Sequence, residues 1–219
     1  GSQNVIDASI DEGVKKVVAL STDKASSPIN LYGATKLTAD KLFIAGNNYA
    51  HAQETRLAVV RYGNVMGSRG SVVPFFRQKM AAREPLPITD ERMTRFWITL
   101  DQAVAFVVDS FDRMNGGELY VPRIPSMKLT DLIEAIAPGY PTVTLGIRPG
   151  EKLHEEMISP DDSHRTLRQD DRYVVTPTIA DWGFTPVEGE QVPVGFSYRS
   201  DTNDLWLTQA ELRTILGIG

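Results

Sequence analysis

Residues 13–36 read GVKKVVALSTDKASSPINLYGATK, and this stretch decides the fold of the chain. Residues 16–20 form a short apolar, β-branched run, which is typical of a buried parallel strand. Residues 31–45 then place apolar and polar side chains at helical spacing. Ser21 and Thr22 are therefore expected at the carboxyl end of a strand, which is the edge where open α/β sheets bind ligands.

The segments on either side continue the same alternation of helix and strand. An order of helix, strand, helix, strand predicts a parallel, doubly wound sheet with short crossovers. Further sheet elements and a second long helix are expected downstream. The predicted elements are a helix at residues 4–12, a strand at 56–62, a sheet element at 96–98, a helix at 100–114 and a strand at 118–121.

Beyond Pro122 the elements become shorter and less regular, which indicates a smaller lobe. The sequence predicts a helix at 129–137, an extended segment at 142–147, a surface loop at 186–202 and a closing helix at 205–216. The predicted fold class is α/β: the carboxy-terminal part of a doubly wound, Rossmann-like parallel sheet with a smaller α/β lobe.

Composition and charge exclude several classes of function. The chain is 42% hydrophobic and 23% charged, which is ordinary for a globular protein that buries a sizeable core. A formal charge of −5 without a basic run argues against nucleic-acid binding. With no cysteine, disulfides, thiolate catalysis and cysteine-ligated zinc are excluded. No apolar stretch is long enough to span a bilayer, so we expect a cytoplasmic protein without membrane contact.

The glycine-rich turn of a dinucleotide-binding fold is absent from this sequence. No Gly-x-Gly-x-x-Gly follows a first strand, and no acidic residue stands about 20 positions further on to bind a ribose hydroxyl. Two interpretations follow: the chain is a fragment without the amino-terminal half of the fold, or the fold is a different one.

Tyr32 and Lys36 form the first candidate catalytic pair. They are four residues apart and therefore lie on one face of the predicted helix. A lysine ammonium stabilises a nearby phenolate, and a phenolate accepts the proton of an alcohol that is being oxidised. By itself this spacing favours the simpler interpretation, an amphipathic helix with a surface lysine.

The residues before this pair make the pattern specific, because Thr22-Asp23-Lys24 supplies a hydroxyl, an acid and an amine. Together with Tyr32 and Lys36 they resemble the active site of extended short-chain dehydrogenases/reductases that act on nucleotide sugars. Residues 1–216 resemble the carboxy-terminal two thirds of the inverting UDP-N-acetylglucosamine 4,6-dehydratases of the pseudaminic acid pathway. The matching segments are residues 20–43, 61–76, 88–100, 116–125 and 146–155.

The resemblance implies a reaction and divides it among these residues. Tyr32, with Lys36 and Thr22, would accept the proton of the sugar C4 hydroxyl while bound NADP takes up the hydride. Lys24 would then remove the C5 proton, and Asp23 would protonate the departing C6 hydroxyl. Most dehydratases of this kind have Asp-Glu here, so the lysine is specific to a subgroup. Within that subgroup the related capsule and glycan dehydratases usually have methionine in place of the tyrosine, so Tyr32 points to the flagellin-type branch. The implied cofactor-binding residues are Leu20, Ser21, Tyr32, Lys36 and Val65.

A second set of residues is implied to bind the UDP part of the substrate, UDP-N-acetylglucosamine. A guanidinium at Arg148 suits a diphosphate, and the carboxylate of Glu151 suits ribose hydroxyls. Asn64 follows the strand at 56–62 and also belongs to this set. The full set is Asn64, Arg69, Gly70, Ser71, Val72, Val73, Thr89, Arg95, Arg148, Pro149, Gly150 and Glu151.

The resemblance also assigns the two parts of the chain. Residues 1–66 and 96–122 would be what is present of the NADP-binding domain, and residues 67–95 and 123–219 the nucleotide-sugar lobe. The amino-terminal half would be an intramolecular partner, and a homo-oligomer is expected. A metal site at His154-Glu155-Glu156 is rejected, because a zinc-binding helix needs a second histidine four residues after the first, and residue 158 is isoleucine.

Three hypotheses remain at this stage. The first is a nucleotide-sugar dehydratase, whose carboxy-terminal fragment alone is expected to show little or no turnover. The second is an epimerase or reductase of the same fold, which would need Tyr32 and Lys36 but not Asp23 and Lys24. The third is a non-catalytic module that binds a UDP-sugar or assembles with a partner.

Overall fold

The computed structural model describes residues 1–50, 52, 54–67 and 72–218. Contacts within the chain divide it into two compact units. The first unit consists of Gly1–Tyr62, Ala103–Arg123 and Glu156–Tyr198, and the second of Gly63–Gln102, Ile124–Glu155 and Arg199–Gly219. No helix in the described part of the chain is long and apolar enough to cross a membrane.

The first unit is built on a six-stranded sheet. Its strands are β1 (Lys16–Thr22), β2 (Arg56–Tyr62), β6 (Leu119–Pro122), β10 (Thr166–Arg168), β11 (Arg172–Val175) and β12 (Glu190–Gln191). The order across the sheet is β1-β2-β6-β11-β10-β12. The first three strands are parallel, whereas β11, β10 and β12 each run antiparallel to the strand before them in this order. The predicted α/β class with a parallel sheet is thus confirmed.

Helices cover this sheet. They are α1 (Ser2–Asp11), α2 (Leu31–Ala50) and α4 (Leu100–Arg113), and a short strand, β9 (Glu156–Ile158), accompanies them. The side chain of Asn30 caps the start of α2, because its Oδ1 accepts a hydrogen bond from the backbone N–H of Gly33 at 2.8 Å. One apolar cluster of the core consists of Ala58, Val60, Phe106, Met114, Tyr120 and Val174.

The position of β1 differs from the sequence prediction. The apolar run at residues 16–20 predicts a buried strand, but β1 lies at one end of the strand order. Within the described residues β1 pairs only with β2, so its other edge has no strand partner there. Leu20 is consequently 50% exposed, and Ser21 is the buried residue of the strand.

The second unit combines two small sheets with three helices. The first sheet contains β3 (Asn64–Val65), β5 (Thr94–Ile98) and β7 (Ser126–Lys128); the second contains β4 (Leu86–Ile88) and β8 (Thr142–Thr144). The helices are α3 (Val72–Ala81), α5 (Leu129–Ile136) and α6 (Gln209–Leu216). α6 begins at Gln209 rather than at the predicted residue 205, because Thr208 and Glu211 form a capping box.

Two regions depart from the expected division of the chain. The run at residues 96–98 belongs to β5 of the second unit, where it pairs with β3 and β7 rather than with the main sheet. Residues 156–198 belong to the first unit, because β10, β11 and β12 extend the main sheet beyond β6. The predicted surface loop at 186–202 is wrong in part, since Val192, Tyr198 and Ser200 are buried there.

Candidate functional site

The carboxyl end of β1 carries the acid and the amine that the sequence singled out. β1 ends at Thr22, and a single 3-10 turn, Asp23–Ala25, follows. Thr22 Oγ1 accepts a hydrogen bond from the backbone N–H of Lys24 at 3.4 Å and donates one to Asp23 Oδ1 at 2.8 Å. Lys24 Nζ donates to the same carboxylate oxygen at 3.0 Å. The three residues therefore form one hydrogen-bonded group.

The two oxygens of the Asp23 carboxylate are in different situations. Asp23 is 1% exposed, and its Oδ1 receives both hydrogen bonds just described. Its Oδ2 is buried and has no hydrogen-bond partner among the described residues. A buried acceptor without a partner carries a free-energy cost, which a bound hydroxyl group or a proton on this oxygen would remove.

Tyr32 and Lys36 lie in the first two turns of α2. The Tyr32 side chain is 55% exposed, so its phenol is accessible. Lys36 Nζ donates a hydrogen bond to the backbone carbonyl of Leu20 at 2.9 Å, which fixes the helix to the end of β1. An ammonium has three N–H donors, so two remain for a ligand.

Gly33 allows α2 to approach the 3-10 turn. A Cβ atom at this position would lie 2.3 Å from the carbonyl oxygen of Lys24 and 3.0 Å from Cβ of Pro28. Because the first atom belongs to the backbone, a side chain here would force the helix and the turn apart. The glycine of the Tyr-Gly-Ala-Thr-Lys motif thus joins the pair Tyr32 and Lys36 to the pair Asp23 and Lys24. We call these four residues with Thr22 the catalytic cluster.

Sequence reasoning missed a second contact that holds this turn. Ser26 Oγ and Ser27 Oγ donate hydrogen bonds to Oε1 of Glu156 on β9, at 2.8 and 2.6 Å. Ser27 also has a φ of 41°, a backbone conformation that non-glycine residues rarely adopt. The two hydrogen bonds stabilise that conformation. Glu156 is 130 positions from Ser26, so no local pattern could have revealed the contact.

Of the other predicted cofactor-binding residues, Leu20 and Ser21 lie at the end of β1. Leu20 is half exposed, whereas Ser21 is 5% exposed and donates its hydroxyl to Asp40 Oδ2 at 2.8 Å. Any contact of Ser21 with a ligand would thus be made by its backbone atoms. Val65 lies in β3 of the second unit, where it pairs with Ile98.

The second unit contains a cavity of about 510 Å³, and it collects six of the predicted substrate-binding residues: Asn64, Val72, Thr89, Arg95, Arg148 and Glu151. Its other lining residues are mainly apolar and were not predicted. They are Phe75, Phe76, Pro87, Met93, Trp97, Met127 and Leu129. Aromatic walls with a few charged groups are typical of a small-molecule site.

Arg148 and Glu151 are the two ends of one tight turn. The backbone N–H of Glu151 donates to the carbonyl of Arg148 at 3.1 Å, and Gly150 has a φ of 78°. Pro149 and Gly150 at the two central positions are typical of a type II turn, which requires a positive φ at the second of them. The turn carries the side chains of Arg148 and Glu151 to the cavity, whereas Pro149 and Gly150 do not line it.

The two cavity arginines differ in their partners. The Arg95 guanidinium donates to the carbonyls of Thr94, Lys152 and Leu153, at 2.7, 3.1 and 3.0 Å, and lies 3.7 Å from Glu151 Oε1. The Arg148 side chain is exposed, and its guanidinium forms no hydrogen bond or ion pair with any described residue. Arg95 therefore fixes the segment that carries the turn, and Arg148 is available to an anion.

The remaining predicted substrate residues give less information. Val73 is 5% exposed, packs in an apolar cluster with Trp97 and Met127, and is not among the residues that line the cavity. Arg69, Gly70 and Ser71 lie outside the described residues. Arg92, which sequence reasoning left open, pairs with Asp90 on the surface, and hydrogen bonds from Arg92 lower the pKa of Asp90 to about 2.

His154 lies in a polar network of the second unit. Its Nδ1 is 2.8 Å from Thr94 Oγ1, which in turn is 2.7 Å from Ser200 Oγ. Burial lowers the pKa of His154 below its usual value, although the carboxylate of Asp201 opposes this shift. No group of three or more potential ligands that could hold a metal ion occurs within the described ranges.

Together, a parallel α/β sheet, an exposed tyrosine with a lysine four residues later, and an acid–amine pair at the carboxyl end of a strand define the class of short-chain dehydrogenase/reductase-like enzymes. Comparison with known proteins is more specific. The sequence model of the family described as polysaccharide biosynthesis protein matches residues 1–177. The chain belongs to this family, in the branch of the inverting UDP-N-acetylglucosamine 4,6-dehydratases.

Two relatives and one solved structure show what the chain is similar to. The inverting UDP-N-acetylglucosamine 4,6-dehydratase of Campylobacter jejuni serotype O:2 is 54% identical over 99% of this chain and 67% of its own length. The UDP-glucose 4-epimerase of Rickettsia canadensis is 36% identical over 87% of this chain and 58% of its own. The X-ray structure of Pen from Bacillus thuringiensis superposes with a TM-score of 0.87 at 34% identity, over 100% of this chain and 66% of that one. The chain thus spans about two thirds of the length of the dehydratase that it matches.

Proposed function

We propose that this chain carries the catalytic cluster and the nucleotide site of an inverting UDP-N-acetylglucosamine 4,6-dehydratase. The observation that carries the proposal is the buried carboxylate of Asp23, which contacts Lys24 Nζ at 3.0 Å and has a second oxygen without a partner among the described residues. A dehydratase must remove one proton and deliver another, and a simple oxidoreductase needs no such pair.

The first part of the reaction is the oxidation of the C4 hydroxyl. Tyr32 acts as a phenolate, the form that the ammonium of Lys36 stabilises, and it becomes a neutral phenol when it accepts the hydroxyl proton. The residues fit a nicotinamide cofactor, because Lys36 has two N–H donors left for ribose hydroxyls after its bond to Leu20. When bound, this cofactor supplies the redox chemistry at C4 and later at C6.

The second part is the loss of water, for which the contact between Asp23 and Lys24 has a direct consequence. An ammonium beside a carboxylate and an amine beside a carboxylic acid contain the same number of protons. Transfer of one proton across the 3.0 Å contact therefore converts the resting pair into a base and an acid without any exchange with solvent. Lys24 then takes the C5 proton, made acidic by the C4 ketone, and Asp23 gives its proton to the C6 hydroxyl, which leaves as water. When C6 is reduced, C5 must receive a proton from the opposite face, and Tyr32, which was protonated in the first part, or a water would supply it.

The hydroxyl of Thr22 has a role in this step that the sequence did not indicate. Its proton is donated to Asp23 Oδ1 at 2.8 Å before the reaction begins. A hydroxyl has only one donor, and a hydrogen bond from Thr22 to the substrate oxygen would have to replace this one. Thr22 thus links the C4 oxygen to the acid that acts at C6.

The cavity of the second unit is proposed to bind the UDP moiety. Arg148 is free to bind the diphosphate, and Glu151 Oε2 is buried without a hydrogen-bond partner among the described residues, so a ribose hydroxyl could donate to it. From the family resemblance we further propose NADP as the cofactor, a place in pseudaminic acid formation, and a homo-oligomeric protein. Reconstitution with NADP and with NAD in parallel tests the first of these.

An epimerase remains the second candidate, because relatives named UDP-glucose 4-epimerase are 36% identical to this chain. The intact gene product that contains this chain separates the two when it is incubated with UDP-N-acetylglucosamine and the product is weighed by mass spectrometry. A product lighter by one water supports the dehydratase. A product of unchanged mass with an inverted C4 would establish the epimerase.

A further inference from the structure

A buried ion pair lies beneath the catalytic cluster and has no part in the mechanism above. Asp40 on α2 and Arg61 on β2 are each 3% exposed, and Arg61 Nη2 donates to Asp40 Oδ2 at 2.8 Å. Burying two charges costs free energy that their attraction often fails to offset, so such a pair is weak evidence of a stabilising role. Its contacts indicate what else it does.

The first contact of the ion pair leads to Tyr32 and Lys36, the residues proposed for the oxidation at C4. Asp40 follows Lys36 by four residues and Tyr32 by eight, so the three share one face of α2. Asp40 Oδ2 also accepts the hydroxyl of Ser21, the residue between Leu20 and Thr22. Leu20 provides the carbonyl that binds Lys36, so Asp40 fixes α2 to β1 one helical turn beyond the bond that Lys36 makes there.

The second contact of the ion pair leads to Asp23 and Lys24, the residues proposed for the loss of water. Arg61 Nη1 donates to the backbone carbonyl of Met157 on β9, at 2.8 Å. The neighbouring residue, Glu156, accepts the hydroxyls of Ser26 and Ser27, which follow directly after the 3-10 turn of Asp23 and Lys24. Arg61 thus holds the strand that holds this turn.

We propose that Asp40 and Arg61 are positioning residues that set the placement of Tyr32 and Lys36 relative to Asp23 and Lys24. The inference rests on the proposed function, in which both pairs act on one sugar ring. In this role the pair acts through Ser21 on one side and Met157 on the other. It keeps the amine of Lys24 at C5 while the phenol of Tyr32 is at the C4 oxygen.

Three variants of the intact protein test this. Asp40→Leu and Arg61→Met each leave an uncompensated buried charge, so both are expected to lower the unfolding temperature as well as turnover. The double variant Asp40→Leu/Arg61→Met replaces both charges by apolar groups and should recover most of the unfolding temperature. Arg172→Met is the matched control, since Arg172 is also a buried guanidinium, 2% exposed, paired with Asp109 away from the cluster.

The expected result is a double variant that is stable but slow. Its kcat per folded molecule should stay about 100-fold below that of the wild type, because a misplacement of about 1 Å has an effect of this size. The isotope effect on turnover should rise for substrate deuterated at C5 and not for substrate deuterated at C4. Arg172→Met should lose stability and keep kcat per folded molecule. A purely structural pair would instead give a double variant in which kcat and unfolding temperature recover together, and that result would overturn the proposal.

Amide hydrogen exchange separates a failure of this inference from a failure of the proposed function. If the wild type releases no dehydrated product from UDP-N-acetylglucosamine, the proposed reaction is wrong, whatever the variants do. The double variant should nonetheless exchange the amides of residues 20–24 faster than the wild type, whereas Arg172→Met should not. Unchanged exchange at residues 20–24 would show that the pair does not hold the turn.

Discussion

The catalytic cluster of the first unit and the cavity of the second unit differ in how their charged groups are partnered. In the cluster, Asp23, Lys24 and Lys36 each have a hydrogen-bond partner within 3.0 Å. In the cavity, the guanidinium of Arg148 has no partner among the described residues, and Glu151 Oε2, like Asp23 Oδ2 in the cluster, is buried without one. The first group is thus fixed before any ligand arrives, and the second is left to be completed by one.

This difference separates catalysis from binding. A proton is transferred efficiently only between groups that are already in place, so the geometry of the cluster must belong to the protein itself. A binding site gains affinity when a ligand satisfies groups that are otherwise unpartnered. Substitutions in the cluster should therefore change kcat, and substitutions in the cavity should change KM.

The largest effect is expected from Lys24→Met. Loss of the amine removes the proposed C5 base, so kcat should fall by about 10²- to 10⁴-fold, and exchange of the C5 hydrogen with deuterated water should stop. NMR of recovered substrate and product measures the exchange. Lys15→Met is the control, because Lys15 is an exposed lysine paired with Glu54 and should leave both quantities unchanged. Persistent C5 exchange in Lys24→Met would assign the base to another group.

Gly33→Ala should have the next largest effect. Alanine favours a helix over glycine by about 1 kcal/mol, but here its Cβ would meet the Lys24 carbonyl at 2.3 Å. We expect the turn to be displaced and kcat to fall by about 100-fold. In the control Gly46→Ala, on the same helix, the new Cβ meets the flexible end of Leu57 at 2.6 Å, so turnover should be kept. Equal turnover of the two variants would contradict a link through Gly33.

Arg148→Gln tests the other half of the comparison. A hydrogen bond to a charged group contributes about 1.5–3 kcal/mol, so KM should rise by about 10- to 100-fold while kcat changes little. Steady-state kinetics with UDP-N-acetylglucosamine give both constants. Arg92→Gln removes an exposed arginine that already pairs with Asp90 and should leave KM unchanged. A fall in kcat with constant KM would place Arg148 among the catalytic groups instead.

The smallest effect is a dependence of stability on pH. Burial lowers the pKa of His154 in the folded state, so below about pH 6.5 the unfolded chain binds a proton that the folded chain does not. The stability of the folded state is therefore complete above this pH and decreases as pH falls towards the lowered pKa. His154→Gln should reduce the slope of unfolding temperature between about pH 7.5 and about pH 5.5. Equal slopes in His154→Gln and the wild type would refute the assignment.

Local sequence patterns predicted the elements that position the catalytic cluster. The apolar run before Ser21 predicted β1, and the helical spacing after Leu31 predicted α2. The strand predicted at residues 56–62 has the same bounds as β2. These predictions succeed because strand and helix periods are local properties. The turn at Arg148 was likewise predictable, since Pro-Gly at its centre specifies the backbone conformation.

Long-range contacts could not be predicted in this way. The pair of Asp40 and Arg61 and the contacts of Glu156 join residues that are 21 and 130 positions apart. Their identity as buried polar partners depends on how the strands are ordered, which the sequence of one element does not contain. For the same reason the sequence grouped residues 156–198 with the second lobe, whereas their contacts lie within the first unit: their strands are too short to show which sheet they join.

The central claim is that Asp23 and Lys24 move a proton between C5 and the C6 hydroxyl of the sugar. The most direct test is to run the reaction of the intact gene product in deuterated water with UDP-N-acetylglucosamine and to examine the product by NMR. The claim predicts a 4-keto-6-deoxy sugar of L configuration with deuterium at C5. A product without deuterium at C5, or one changed only in configuration at C4, would contradict it.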